Sequence, residues 1–544
     1  MIEAAWRRHQ LLAGAVAAMV CVALVAAAAL GGDEPAHLYR TLLSRRGAHV
    51  WDNRWYAGQY LPSYSLLYNP LAKLVGNVAL TVGGIFVSAV LFASVSRRQW
   101  PCAGPYPALA FALLAPSSLV TGTYPYALGL AACLAALRAL QAGRTGVALG
   151  AAALTLSFSP VAFGLLCIAL LAVFLAHRRV GRREVSVALG IGALFAVEAV
   201  VAILFPVDGE LPLPLPAVAA AAVVGGVGAA LAWRAAHGRA LAVFLVLWVV
   251  ANILAFLVPS PVGPTLTRLR FVLFALVLAA AALASFRPRW LAGIALAVAL
   301  AYSAGSVAPR VLPAVRARSD SARFWGPAVG VLRERSGGNH RVEVVPTAAH
   351  WESYYLPRAG LALARGWHRQ ADRSRNAFLY ERAIAPDVYR AWLRQLGIRN
   401  VVLPHLKLDT QGSQAEATLL RSGQSGLVEV ARSEWWTIYE LPDPTPILEG
   451  GAESGITGLD HDEISGWTGG AGTHRLAVRF TPYWVVRHGA VCLTRAADGM
   501  TLLRAAEPGA FHLSMTEAPW DLLARWWRRD EPICGPGAVT ASNE

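Results

Sequence analysis

Asp33 and Glu34 are adjacent carboxylates that follow directly on the first long apolar run, Leu11 to Gly31. Only eight acids occur in residues 1–308, and a carboxylate beside a bilayer is costly unless it faces water or a polar site. Two of them together therefore read as a functional pair. The chemistry that suits them is proton abstraction at a membrane surface. Moving a sugar from a lipid phosphate to a hydroxyl needs a general base for the acceptor proton and cations that hold the departing phosphate as its charge develops. Asp33 or Glu34 is the candidate base. Arg268 and Arg270, which follow the break Pro259-Ser260-Pro261-Val262-Gly263-Pro264, are candidates for the phosphate, with Arg40 and Lys73 behind them. His37 lies just beyond the acidic pair, and Trp51, Asp52, Trp55 and Tyr56 lie in the run Trp51 to Tyr60. These aromatic and hydrogen-bonding groups suit a sugar ring or a headgroup. An aromatic belt with solvated charges is the competing reading.

The elements that must position these residues are membrane helices. Of the 544 residues 56% are hydrophobic and 15% charged, against about 25% charged in an average soluble domain. A bilayer crossing takes roughly 20 mostly apolar residues. The sequence predicts about eleven such spans: 11–31, 77–95, 105–121, 124–141, 145–159, 161–177, 186–205, 214–233, 240–258, 268–286 and 290–308. The net charge of +15 belongs mostly to residues 1–308, which hold 21 Lys/Arg and 8 Asp/Glu. With the N-terminus cytoplasmic, fourteen of those cations fall at inner ends and seven outside, as the positive-inside rule requires. Basic residues between apolar runs mark membrane topology, and nucleic acid is not an expected partner. Leu11 to Gly31 exceeds a usual signal-peptide core and is read as a retained anchor. An odd number of spans then puts the C-terminal part outside the cytoplasm of a multi-pass plasma-membrane protein.

The expected organisation is a transmembrane bundle over 1–308 with an outer loop at 32–76, a mixed α/β domain over 309–444, and a β-sandwich-like domain over 445–544 with a terminal amphipathic helix. Arg341 to Pro346, Asn400 to Pro404 and the stretch from Leu427 through Glu440 read as strands, and Asp387 to Leu396 as an amphipathic helix stopped by Gly397. Beyond the Pro-rich hinge Leu441 to Pro446 the period changes to two. Trp520 to Arg529 reads as a short helix whose Trp520, Trp526 and Trp527 either touch the outer membrane surface or pack on the domain. Cys492 and Cys534 are the cysteines that would meet an oxidising exterior, where they could pair; two separate thiols are the alternative.

Several chemistries are not supported. His350, His368 and His405 have no common ligand spacing, and the chain has no Walker loop, Gly-x-Ser-x-Gly elbow or dinucleotide-binding glycine motif. No metal site is assigned from spacing. Glu198 lies mid-span in an apolar run, where it must be paired, protonated or facing a cavity.

Asp33-Glu34-Pro35 after the first span, Trp51 to Gly58, and Pro259 to Gly263 leading to Arg268-Leu269 resemble the membrane glycosyltransferases of the GT-C superfamily. Together with His350-Trp351-Glu352, Leu363 to Gln370 and Tyr389 to Pro404, they resemble more specifically a group of actinobacterial multi-span membrane proteins related to that superfamily. The resemblance implies a bundle of about eleven helices, an acidic catalytic residue in the first outer loop at Asp33 with Glu34 adjacent, and a β-rich exterior domain. It implies a polyprenyl-phosphate sugar donor and a cell-envelope glycan or glycolipid acceptor. Some members of the superfamily use a divalent metal, Mg or Mn, which would sit near Asp33 and Glu34. Two other classes compete. A lipid or sugar transporter or flippase would explain Glu198 but not the missing internal repeat, and a noncatalytic envelope-assembly protein would explain the Trp-rich exterior.

Overall fold

The structure is a computed structural model that describes residues 2–536 except 63, 179, 236, 262, 284–288, 306, 308–317 and 452, with side chains from Arg8 onward. The chain divides into two compact units. The first comprises Met1–His37, Tyr64–Ala202 and Glu210–Arg316, and the second Leu38–Ser63, Ile203–Gly209 and Ala317–Glu544.

The first unit makes the chain a polytopic α-helical membrane protein. Among the described residues, seven helices are long and apolar enough to cross a bilayer: Arg8–Ala26, Asn77–Gln99, Pro160–His177, Arg182–Leu204, Leu215–Trp233, Arg239–Leu257 and Gly263–Leu283. The expectation of about eleven is corrected to seven, for physical reasons at four places. Segment 105–121 is broken into Tyr106–Leu114 and Ser117–Thr121, with Pro116 between them. Segments 145–159 and 290–308 yield helices of only 14 and 17 residues, roughly 21 and 26 Å long at 1.5 Å per residue, short of a hydrocarbon core of about 30 Å. Helix Tyr124–Gln141 has 18 residues, but Tyr124, Tyr126, Arg138 and Gln141 dilute its apolar character. Small residues let these helices approach closely: a Cβ on Gly129 would come within 2.8 Å of Ser159 and 2.9 Å of Ala162.

The second unit begins with a mixed sheet. Strand Arg341–Val344 pairs parallel with Ile398–Pro404, which pairs antiparallel with Trp436–Glu440, and Val428–Arg432 completes the sheet at its edge. Helix Pro386–Gln395 buries Tyr389, Trp392 and Leu393. Gly397, at φ 69°, ends that turn where a Cβ would meet the Ile447 backbone at 3.1 Å. The rest is antiparallel, and here the expectation of a β-sandwich is also corrected. The strands form two separate open sheets, one of five strands and one of four. The five-stranded sheet ends on Leu448–Glu449 at one edge and Ile533–Cys534 at the other. Two-residue strands offer too few backbone groups to carry the ladder onward, so it does not close. Cys492 and Cys534 face each other in register and are joined by a disulfide.

The mixed α/β part carries its charges inside. Arg365, 4% exposed, grips Asp372 through Nε (2.9 Å to Oδ1) and Nη2 (2.6 Å to Oδ2), donates to Glu416 Oε2 at 3.1 Å and lies 3.5 Å from Glu343 Oε1. Three carboxylates thus share one guanidinium. Burial, reinforced by Glu416, pushes the Glu343 carboxyl well above the usual carboxylate range.

A second buried pair of acids surrounds a histidine. His350 adopts φ 53°, lies edge-on to Trp367 with ring centroids 4.9 Å apart, and bonds Asp409 Oδ2 through Nε2 at 3.1 Å, while Nδ1 lies 3.3 Å from Glu352 Oε1. Arg369 also donates to Asp409, at 2.7 Å. Burial opposes the charge on His350, but its bonds to Asp409 and Glu352 outweigh burial and push its pKa up to about 9. A histidine with a raised folded-state pKa stabilises the fold fully below the unfolded value of about 6.5, and the contribution is lost as pH rises through 9. We expect His350→Gln to destabilise the second unit by roughly 3 kcal/mol near pH 6. The gap from wild type should close between pH 6.5 and 9, as read by thermal melts across that range. A gap independent of pH would contradict the charged histidine.

Candidate active site

The first unit places Asp33 where backbone sterics leave little freedom. The first span ends, and Gly31-Gly32 turn the chain into helix Glu34–Arg46. The Asp33 carbonyl accepts from His37 N at 3.2 Å, so Asp33 caps this helix and Glu34 occupies its first turn, where the positive end of the helix favours carboxylates. Gly32 (φ 62°) faces Thr121, and Gly122 (φ 71°) faces Asp33. A Cβ on Gly32 would meet Thr121 O at 2.1 Å, and one on Gly122 would meet Asp33 N at 2.3 Å. The turn between Ser117–Thr121 and Tyr124–Gln141 is thereby pressed against the start of the acidic helix, and His37 Nε2 fastens it by donating to Gly122 O at 2.7 Å.

Aromatic rings wall the site. His37 is buried and stacks on Tyr124 at 5.0 Å, with Tyr68 edge-on at 5.5 Å and Tyr64 at 6.0 Å. Tyr68 Oη is fixed by Asn77 O (3.3 Å) and Thr81 Oγ1 (3.2 Å). The cation arrives from a segment 235 residues further along the chain than Asp33. The 3-10 helix Gly263–Leu269 carries Arg268, and Trp248 Nε1 donates to Leu266 O at 3.1 Å while Tyr126 Oη donates to Arg268 O at 3.4 Å. Arg268 Nη2 lies 3.9 Å from Asp33 Oδ2, with the side chains 15% and 30% exposed, and Arg268 also bonds Tyr64. At that distance Arg268 attracts the carboxylate without a strong hydrogen bond, and both groups remain partly open.

The structure divides the residues named from the sequence. Asp33, Glu34, His37, Lys73, Arg268 and Arg270 belong to the first unit, and Arg40, Trp51, Asp52, Trp55 and Tyr56 to the second. Glu34 is 8% exposed. Lys73 lies in the last turn of helix Tyr68–Val75, and Arg270 folds back on Thr267, with Nε 3.1 Å from its carbonyl oxygen. In the second unit the Trp51 to Tyr60 run is enclosed. Asp52 accepts from Tyr39 Oη at 2.9 Å and lies 3.3 Å from His461 Nδ1. Trp51 Nε1 donates to Asn53 Oδ1 (2.8 Å), Trp55 Nε1 to Ser353 O (3.0 Å) and Tyr56 Oη to His368 O (2.9 Å). Arg40 is buried in the same unit. Cys492 and Cys534 lie elsewhere in it, as the disulfide described above.

Tyr64, Tyr68, Tyr124, Tyr126 and Gly122 were missed by sequence reasoning. The signal present was Thr121-Gly122-Thr123-Tyr124-Pro125-Tyr126, a polar interruption that an ordinary tight turn explains equally well. Among the described residues no group of three or more His, Cys, Asp or Glu is placed to hold a metal. A divalent ion at Asp33 and Glu34 would have to complete its shell from substrate oxygens and water, and no step below runs through one.

The packing of Gly122 makes a local prediction. Gly122→Ala forces a side chain into a left-handed position and into the Asp33 backbone, and a displacement of about 1 Å at a reacting group costs about a hundredfold in rate. Gly143→Ala is the control, since Gly143 has φ 78° with nothing within 4 Å of its Cβ position. Turnover by the two variants on whatever substrate the wild type uses should differ by that factor; equal turnover would show that the turn does not position the site.

No family model matches the sequence, and no curated protein matches it by sequence. Two solved structures align with the chain. The cryo-EM structure of the arabinofuranosyltransferase AftD from Mycobacteria superposes with a TM-score of 0.51 at 16% identity, over 86% of this chain and 41% of that one. The chain thus spans about two fifths of that structure's length. ArnT from Cupriavidus metallidurans, solved bound to undecaprenyl phosphate, aligns with a TM-score of 0.36 at 14% identity, over 79% of this chain and 98% of that one. At 16% identity the likeness to AftD shows a shared fold alone.

Proposed function

We propose that this protein transfers a glycosyl group from a polyprenyl-phosphate donor to a cell-envelope glycan or glycolipid at the outer face of the plasma membrane. One observation carries the reading: a partly exposed carboxylate, Asp33, and a partly exposed guanidinium, Arg268, meet at 3.9 Å, and Arg268 also bonds Tyr64. In the proposed reaction the donor phosphate draws Arg268 from Asp33, and the Asp33 carboxylate accepts the acceptor hydroxyl's proton. The acceptor oxygen bonds the anomeric carbon, the bond from that carbon to the phosphate oxygen breaks, and polyprenyl phosphate departs with its new charge facing Arg268. His37 and Tyr124 position the acidic turn, and Glu34, at the helix N-terminus, supports it. Lys73 and Arg270 are further cations of the same unit. The fold shared with AftD supports this reading, as does the disulfide, a bond that persists in oxidising compartments. In this reading the N-terminus is cytoplasmic, the C-terminal part from residue 309 is extracytoplasmic, and the chain is akin to actinobacterial envelope proteins related to the GT-C superfamily.

Binding of the lipid product tests the phosphate assignment. Arg268→Gln removes a charged donor worth about 1.5–3 kcal/mol and should weaken polyprenyl-phosphate binding by about tenfold or more, measured by titration into the full chain in nanodiscs. Asp33→Asn should leave that affinity within a few-fold. Wild-type affinity in Arg268→Gln would remove the phosphate role.

A further inference from the structure

The helix Pro519–Trp527 is turned the wrong way for a soluble surface. Trp520, Leu523, Ala524 and Trp527 follow the spacing i, i+3, i+4, i+7, which on a helix is a single apolar stripe, and all four are exposed. Trp520 is 81% exposed, Trp527 82% and Leu523 41%. The opposite side holds the helix to the second unit: Leu522 is buried, and Arg525 Nη1 donates to Trp484 O at 2.7 Å. The chain after the helix is fixed by the strand Ile533–Cys534 and its disulfide to Cys492. A pre-formed helix, anchored on both sides of its sequence, therefore presents two tryptophans and a leucine outward.

We infer that this stripe lies in the interfacial layer of the lipid bilayer, as a surface anchor for the second unit. Three observations select lipid over other occupants. The stripe contains no carboxylate, amide or hydroxyl of the kind that would bind sugar hydroxyls beside a stacked ring. Tryptophans at its two ends match the amphipathic residues enriched at the headgroup level. Arg528 and Arg529 are exposed at the end of the helix, positioned to meet lipid phosphates while the stripe meets acyl chains. Asp521, Asp530 and Glu531 offset these arginines and Arg525, so the attachment is apolar in origin and does not require anionic lipid. The membrane itself is supplied by the chain's own spans, so a short apolar stripe suffices where a soluble protein would need a larger one. The inference stands apart from the donor and acceptor proposed above.

The test uses the full chain in nanodiscs of phosphatidylcholine with and without bromine atoms high on the acyl chains, which quench nearby indoles. The chain has 18 tryptophans, so the signal is the difference between wild type and Trp520→Ala/Trp527→Ala, whose altered residues are exposed and leave the packed side of the helix intact. Emission lost in the double variant should be quenched about twofold or more by the brominated lipid, equally in nanodiscs with added phosphatidylglycerol. Difference emission that brominated phosphatidylcholine leaves unquenched would overturn the inference, whether the stripe is then in water or covered by protein. Quenching confined to anionic bilayers would overturn its apolar basis.

Discussion

Replacing Asp33 with asparagine is expected to lower transfer of sugar from a polyprenyl-phosphate donor by about 10²–10⁴-fold, the range for loss of a general base, in a protein that still folds. The change removes a proton acceptor and almost no volume. It breaks one ion pair of 3.9 Å whose carboxylate is 30% exposed, an interaction worth at most about 1 kcal/mol to stability at such exposure. The helix cap contributed by the Asp33 backbone carbonyl is untouched. Glu34→Gln separates the neighbours. Glu34 is 8% exposed and sits in the first helical turn, so its neutralisation should disturb the turn and lower activity less than Asp33→Asn does. Transfer measured on purified variants in nanodiscs, with thermal melts alongside, distinguishes loss of chemistry from loss of fold. The reverse order of effects would move the base to Glu34, and unchanged transfer in both would leave the site without one.

The largest stability effect is expected at Arg365. Its guanidinium is the cation shared by Asp372, Glu416 and Glu343, all buried, and is itself 4% exposed. Arg365→Met keeps much of the volume but leaves three carboxylates inside without a counter-charge. Breaking a buried ion pair from one side costs about 3–5 kcal/mol, enough to unfold the mixed α/β part at moderate temperature. Arg365→Lys should rescue little, because one ammonium cannot span the Nε–Nη2 fork on Asp372 and reach Glu416. The loss should also shrink as pH falls towards 5, since protonation neutralises the stranded acids. A melting temperature within about 2 °C of wild type, where 1 kcal/mol corresponds to about 2–4 °C, would show that the cluster does not depend on its arginine.

These two sites differed in how far they could be read beforehand. Asp33 stood out because acids are scarce in the membrane half, and Arg268 because it follows a proline-rich break. Both signals are compositional and survive without knowing helix rotation. Tyr64, Tyr68 and Tyr124 gave no such signal. Whether a tyrosine faces a histidine or a lipid depends on the angular setting of helices distant in sequence. Trp51, Asp52, Trp55 and Tyr56 have a composition that fits either a bound sugar or a packed interior, and only tertiary placement shows that these rings are enclosed. Arg365 was visible as part of a motif, but its three acids are 7, 22 and 51 residues away, and nothing local joins them. Strands such as Ile398–Pro404 were legible from their β-branched runs. The span count failed for an opposite reason: a hydropathy window passes over Pro116 and over helices of 14 and 17 residues.

The central claim is that Asp33 and Arg268 act on the same donor, and a double-mutant cycle on transfer measures it most directly. Purified wild type, Asp33→Asn, Arg268→Gln and the double variant would be compared for incorporation of sugar from polyprenyl-phosphate donors into envelope acceptor. Residues that work as one unit are non-additive, so the double variant should be little worse than Asp33→Asn alone. Losses that multiply as for independent sites, or a folded wild type that transfers no sugar from any polyprenyl-phosphate donor, would contradict it.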